Sequence, residues 1–264
     1  MKDKIKKIVV SLGYYSKPDF LIIGAQKAGT TALYAILKQH SFITASRKEI
    51  HFFDNDFLYA KKNSFNEYHS FFPLPYRIPC KNILFEATPR YLYHPKVPER
   101  LYQYNPNLKL IIILRDPAYR ALSAWTMYHH HFKGSFKHDS RSFKEAVEQE
   151  LQNIDGFDYC ASETGYIKRG IYYYQVENVF KYFPREKVLV LENNELKKQL
   201  QNTLKKISSF LEIPNEPLAQ KTINKSQVNN RDIYQDEIRF LKEFYKPYNS
   251  LLFNLIDQKY QWDT

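Results

Sequence analysis

Cysteine, glycine, acidic residues and long apolar runs are all scarce in this chain. Its two cysteines, Cys80 and Cys160, stand in no CxxC or Cys/His spacing. A disulfide framework and a zinc finger are therefore excluded as sources of stability, and two reduced thiols in a reducing, cytoplasmic setting are expected. With seven glycines in 264 residues there is no Gly/Ser linker, and no internal repeat is evident. No apolar run approaches the ~18 residues of a membrane span. After the basic start Met1-Lys2-Asp3-Lys4-Ile5-Lys6-Lys7, the apolar residues Ile8, Val9 and Val10 are too few for a signal-peptide core. Stable membrane insertion is not expected.

The remaining composition is that of a globular enzyme-sized unit. Hydrophobic residues make up 44% and charged residues 25%, which excludes a disordered or collagen-like chain. A chain of this length buries roughly 75% of its unfolded surface, so one domain over 18–264 is expected after a basic tail at 1–17. That tail reads as solvated, with a short amphipathic helix on anionic lipid as the alternative. Aromatics, at 16%, favour large side chains in the core and around a ligand cleft. Thirty-nine Lys and Arg against 28 Asp and Glu leave a net charge of +11, so the partner is expected to be an anion. Nucleic acid, an acidic membrane, a nucleotide and a sulfated or carboxylated glycan fit that charge equally.

Five short apolar runs alternate with segments of helical period. Strands are expected at Phe20 to Ile23, Phe42 to Ala45, Ile83 to Glu86, Leu108 to Leu114 and Lys187 to Leu191. Leu108 to Leu114 is continuously apolar, as in a strand buried on both faces. Helices are expected at Thr31 to Gln39, about 95–104, 117–132, 141–152, 168–183 and 195–212, and finally about 232–246. This order implies an α/β fold: a single domain with a central parallel sheet of about five strands flanked by helices. Segment 54–80, rich in Phe, Tyr and Pro without clear period, reads as an excursion over a cleft, and 219–232 as a polar loop.

The stretch Gly24-Ala25-Gln26-Lys27-Ala28-Gly29-Thr30-Thr31 lies between the first strand and the first helix. Backbone N–H groups at a helix N-terminus, approached closely through glycines, cradle oxyanions of the phosphate kind. Lys27 adds a mobile cation, and Thr30 and Thr31 add hydroxyls. A nucleoside-triphosphate loop carries Lys directly after its second glycine; here that place is Thr30, and Lys27 stands two residues before Gly29. The loop is P-loop-like in position and distinct in chemistry. Arg115 follows the most buried strand, and Asp116-Pro117 opens a helix with Asp as N-cap and Pro at the first turn. Arg115 thus belongs at the carboxyl end of the sheet, where open α/β folds bind ligands. Ser123 lies within two turns of that helix.

These landmarks together resemble the nucleotide-dependent sulfotransferases, and within them the heparan sulfate N- and 3-O-sulfotransferase branch. Lys48-Glu49-Ile50-His51-Phe52-Phe53-Asp54 is similar to that family's catalytic segment, and Glu86-Ala87-Thr88-Pro89 continues it. Leu114-Arg115-Asp116-Pro117 with Ala121-Leu122-Ser123 is similar to its 3′-phosphate site. Lys96 to Arg100 and the closing Trp262-Asp263 also have counterparts. The resemblance implies a donor, 3′-phosphoadenosine 5′-phosphosulfate, leaving as adenosine 3′,5′-bisphosphate, with no metal required. It places the 5′-phosphosulfate on Gln26, Lys27, Ala28, Gly29, Thr30 and Thr31 and the 3′-phosphate on Arg115 and Ser123, with Arg169 and Lys225 approaching the nucleotide. It also implies in-line transfer to a hydroxyl or amine of a glycan or other small hydroxylated acceptor. Glu49 is then the general base, Lys27 neutralises the leaving oxygen, and His51 and Asp54 complete the catalytic set. A free Glu, with a pKa of roughly 4.3, is a weak base at neutral pH, so partial burial of Glu49 or the influence of neighbouring groups is expected. Glu49 and His51 share a face if their segment is extended.

Two departures bear on the acceptor. Ala87 replaces a lysine of the 3-O-sulfotransferases, and Asn224-Lys225-Ser226 stands without the cysteine-bridged loop of the heparan enzymes. The triplet His129-His130-His131 with His138 cannot converge on one metal ion, because helical neighbours point about 100° apart. Two alternatives stay open: an ATP-dependent kinase, disfavoured because Leu114-Arg115-Asp116 puts Arg first at the strand end, and a basic nucleic-acid-binding protein.

Overall fold

The computed structural model describes residues 2–152, 154, 164–220 and 231–262. Its five strands are β1 (Phe20–Gly24), β2 (Ile43–Ala45), β3 (Ile83–Ala87), β4 (Lys109–Leu114) and β5 (Val188–Glu192). They form one parallel sheet in the order β2-β3-β1-β4-β5. The helices are α1 (Lys2–Ser11), α2 (Thr30–Leu37), α3 (Asp56–Tyr59), α4 (Ser64–His69), α5 (Val97–Tyr104), α6 (Pro117–Thr126), α7 (Phe143–Gln152), α8 (Tyr172–Phe180), α9 (Asn193–Lys198), α10 (Leu200–Leu211) and α11 (Gln235–Ile256).

Alternation along the strands divides the core. In β1, Leu21 and Ile23 point to the face covered by α4, α5, α8 and the end of α11. Phe20 and Ile22 point to the face covered by α2, α9 and α10. In α2, Leu33, Ile36 and Leu37 are buried, as their spacing requires. A third cluster, centred on Trp125 and Tyr245, joins α6, α7 and α11. The strand order reverses about β1, which sits between β3 and β4. The loop after β1 therefore lies at the topological switch point, the place where such sheets bind ligands.

The structure corrects several expectations. The segment expected as a solvated tail is helical over Lys2–Ser11, and Val10 is buried. Segment 54–80 forms α3, α4 and a 3-10 turn at Pro75–Arg77, and Tyr68 and Phe72 are fully buried in the main core. Aromatic packing holds this stretch down where period gave no sign: Phe52, Phe53, Tyr59, Phe65, Tyr68 and Tyr104 form a continuous set of ring contacts. The helix expected over 195–212 is two helices broken at Gln199, which has φ −136; neither Gly nor Pro marks the break. The final helix was expected to stop before Pro247 and instead runs on to Ile256. An interior proline costs about 3 kcal/mol, and burial of Leu252, Phe253 and Ile256 beyond it offsets that cost.

Candidate functional site

The β1–α2 loop has the geometry of an anion cradle. Gly29, the N-cap of α2, has φ 105, and a Cβ there would stand 2.4 Å from Asn193 Nδ2. Asn193 itself donates to the Ala28 carbonyl at 2.7 Å, so the start of α9 clamps the loop. Thr30 and Thr31 open α2, whose first-turn N–H groups have no intrahelical acceptor. Lys27 is left-handed at φ 67. Its Nζ lies 3.5 Å from the Sδ of Met127, where α6 passes into a π-helical turn.

Cations gather behind this loop. Arg115 Nη1 donates to the Lys27 carbonyl at 3.3 Å. Arg169 Nη1 donates to Gln26 Oε1 at 2.9 Å, and its guanidinium stacks on Tyr93 with 4.9 Å to the ring centroid. Arg120, on α6, is 0% exposed. Its Nη2 donates to the Tyr166 carbonyl, and its Nε and Nη1 have no hydrogen-bond partner among the described residues. Burial pulls the Lys27 ammonium below its ordinary range, and Arg115, Arg120 and Lys48 push it further down. Burial likewise lowers Arg169. Like charges held this close and this dry favour an anion among them.

Opposite the loop, residues 46–54 hang from β3. Ser46 and Glu49 N–H groups donate to the Phe85 and Ala87 carbonyls at 2.9 and 2.8 Å. Ile50 N–H donates to Thr88 Oγ1 at 3.1 Å, and Phe52 and Phe53 N–H groups donate to the Tyr91 hydroxyl at 3.1 and 3.4 Å. The Phe53 carbonyl accepts from Arg100 Nη1 at 2.7 Å. The segment is not extended: Glu49 and His51 are left-handed, at φ 57 and 55. Of the described non-glycine residues with positive φ, Asn63, Glu212 and Asp257 cap helices. The other three, Lys27, Glu49 and His51, are all candidate site residues. Strained conformations gather where the surrounding structure enforces them, which is typical of functional sites.

The side chains of this segment are paired. Glu49 accepts from Lys48 Nζ at 2.6 Å, and the same Nζ donates to Thr31 Oγ1 at 2.7 Å, tying the segment to the loop. His51 Nε2 is 4.0 Å from Glu49, and its Nδ1 is 2.8 Å from Asp54 Oδ2. The hydrogen bond to Asp54 raises the His51 pKa. Asp54, with its side chain 1% exposed, also lies 3.6 Å from Arg90. The Glu49 side chain is 47% exposed, and its charged neighbours are Lys48 and His51.

Gln26, Lys27, Ala28, Gly29, Thr30 and Thr31 thus lie together with Arg115 and Arg169, and Glu49, His51 and Asp54 form a second group joined to them through Lys48. Asp116 caps α6, accepting from Ala118 and Tyr119 N–H groups at 2.9 and 3.3 Å. Ser123 is half-buried on the same helix. Lys225, Cys160 and Asp263 lie outside the described residues; Trp262 is buried, its Nε1 3.3 Å from Glu192. His129 stacks on Trp125, and among the described residues no group of three His, Cys, Asp or Glu is placed to hold a metal. Sequence reasoning missed Arg120, Lys48 and Asn193. Lys48 had a signal, its place directly before Glu49, whereas Arg120 and Asn193 had none apart from the fold.

The sequence model described as "Sulfotransferase domain" matches residues 17–234. Heparan sulfate glucosamine 3-O-sulfotransferase 5 of Homo sapiens is 33% identical over 199 residues, which are 75% of this chain and 54% of that protein. The chain thus spans about half the length of that relative. The membrane-associated sulfotransferase kil1 of Dictyostelium discoideum is 24% identical over 94% of this chain and 67% of its own length. Among solved structures, a sulfotransferase from Alicyclobacillus acidocaldarius has the same fold, with a TM-score of 0.75 and 24% identity over 94% of this chain and all of that one. Mouse sulfotransferase SULT7A1, complexed with PAP, matches with a TM-score of 0.53 and 16% identity over 94% and 89%. The chain belongs to the sulfotransferase family.

Proposed function

We propose that this protein transfers the sulfuryl group of 3′-phosphoadenosine 5′-phosphosulfate to a hydroxyl or amine of a glycan of the heparan sulfate type. The observation that carries the reading is the convergence of Lys27, Arg115, Arg120 and Arg169 on one loop at the sheet's switch point. A donor with phosphate at both ends neutralises such a cluster. The glycan class rests on the 3-O-sulfotransferase relatives and on the Glu49-His51-Asp54 segment; the donor draws support from the PAP complex of SULT7A1.

In this mechanism the loop amides and Thr30 bind the 5′-phosphosulfate, and Arg115 with Ser123 grips the 3′-phosphate bidentately. Sulfuryl transfer, like phosphoryl transfer, has a loose in-line transition state, so positioning and charge neutralisation carry most of the catalysis. Lys27 meets the negative charge growing on the leaving phosphate oxygen. Glu49 takes the proton from the acceptor as its oxygen or nitrogen attacks sulfur. Lys48, between Thr31 and Glu49, holds base and donor in register. His51 flanks Glu49, and Asp54, buried behind it, orients the imidazole. The test is transfer of labelled sulfate from the donor to desulfated heparan oligosaccharides. Labelled product formed by wild type and lost in Glu49→Gln supports the reading; undiminished product in Glu49→Gln removes Glu49 as base.

A further inference from the structure

The catalytic segment owes its shape to hydrogen bonds from Thr88 and Tyr91, and both hydroxyls lead to one carboxylate that the mechanism above does not use. Glu86, on β3, is 0% exposed. Thr88 Oγ1 donates to its Oε2 at 2.7 Å, and Tyr68 Oη donates to its Oε1 at 3.0 Å. The buried Tyr91 hydroxyl faces the same carboxylate. A hydroxyl has a single proton to give. With the Thr88 proton committed to Glu86, a Thr88 lone pair is left to face the Ile50 N–H, and the Tyr91 oxygen, beside the same carboxylate, accepts from Phe52 and Phe53.

From this connectivity we infer that Glu86 is a positioning residue: through Thr88 and Tyr91 it holds Glu49 and His51 in their left-handed conformations. The inference rests on the sulfotransferase reading for its effect on turnover and on geometry alone for its effect on the segment. The groups facing Glu86 are Tyr68 from α4, Tyr104 from α5, Thr88 and Tyr91 from the turn after β3, and Asp54 from the catalytic segment. Burial holds Tyr68 and Tyr91 protonated as donors. Burial also lifts the Glu86 carboxyl to about 7 against the pull of the neighbouring hydroxyls. When Glu86 takes a proton, it becomes a donor itself, one hydroxyl loses its acceptor, and the segment loosens.

The test is amide hydrogen exchange at pH 6 and pH 8, with adenosine 3′,5′-bisphosphate affinity and turnover measured alongside. In wild type, protection of the Ile50, Phe52 and Phe53 amides rises with pH. In Glu86→Gln it falls at least tenfold at pH 8 and no longer depends on pH, while β1 amides and bisphosphate affinity are unchanged and kcat drops tenfold or more. Thr88→Val cuts one link, so it exposes the Ile50 amide and spares Phe52 and Phe53. Unchanged protection in Glu86→Gln, protection lost equally in β1, or a loosened segment with undiminished kcat overturns the inference. If wild type fails to bind the bisphosphate, the donor reading and the effect on turnover fall together, while the exchange data still decide whether Glu86 holds the segment.

Discussion

The two halves of the site differ in how their charges are settled. Around the β1–α2 loop, Lys27, Arg115, Arg120 and Arg169 lie close together: Lys27 Nζ approaches a thioether, Arg115 and Arg120 donate to carbonyls, and Arg169 donates to an amide and stacks on a ring. In residues 48–54 each ionisable side chain has an opposite charge within 4.0 Å: Lys48 with Glu49, Glu49 with His51, His51 with Asp54. The first half gathers positive charge at the loop, and the second alternates acid and base along one segment. Lys48 joins them. Binding and proton transfer are therefore separable by mutation, and the division can be tested from either side.

The largest effect is expected on the proton-transfer side. Glu49→Gln keeps the charge cluster and removes the base, so turnover falls by roughly 10²–10⁴ while bisphosphate affinity holds. A parallel loss of affinity, read by calorimetry, would break the separation. Lys27→Ala acts on both sides of the chemistry: affinity weakens and kcat falls by roughly 10²–10³, the usual loss for one preorganised charge donor. Single-turnover kinetics at saturating donor separates the two contributions. Gly29→Ala sharpens the structural half of the comparison. The new methyl meets Asn193 Nδ2 at 2.4 Å from a backbone with φ 105, and the expected destabilisation is about 1–3 kcal/mol by denaturant titration.

The smallest effect concerns pH. The folded pKa of His51 is raised by its hydrogen bond to Asp54. Its contribution to stability is therefore fully present below the unfolded value of 6.5 and is lost as pH rises through the folded value. His51 is 42% exposed, so the effect is small. The thermal midpoint of wild type should fall toward that of His51→Gln between pH 6 and pH 8.5; parallel curves would show that the Asp54 pair contributes nothing.

Much of this architecture was legible in the residues. A continuous apolar run marked β4 because a central parallel strand is buried on both faces, and Asp116-Pro117 announced α6 because a carboxylate caps orphan N–H groups and proline suits the first turn. The loop was readable from where it falls between strand and helix. The extent of α11 was hidden because tertiary burial beyond Pro247 outweighs a local breaker, and α3 and α4 because ring packing replaces period. The charge cluster was half visible. Arg115 announces itself at a strand end, whereas Arg120 reads as an ordinary helical residue until α6 turns it inward. The left-handed turns at Glu49 and His51 depend on hydroxyls more than 35 residues away in sequence, which no local pattern reports.

The central claim, that the clustered cations form a donor site, is tested most directly by calorimetric titration with adenosine 3′,5′-bisphosphate, alongside ATP with magnesium, on wild type and Arg115→Ala. Loss of charge-assisted hydrogen bonds, worth about 1.5–3 kcal/mol each, predicts tight bisphosphate binding that weakens roughly 10- to 100-fold in the variant, with no comparable affinity for Mg-ATP. Tight Mg-ATP binding without bisphosphate binding, or bisphosphate binding indifferent to Arg115, would contradict it.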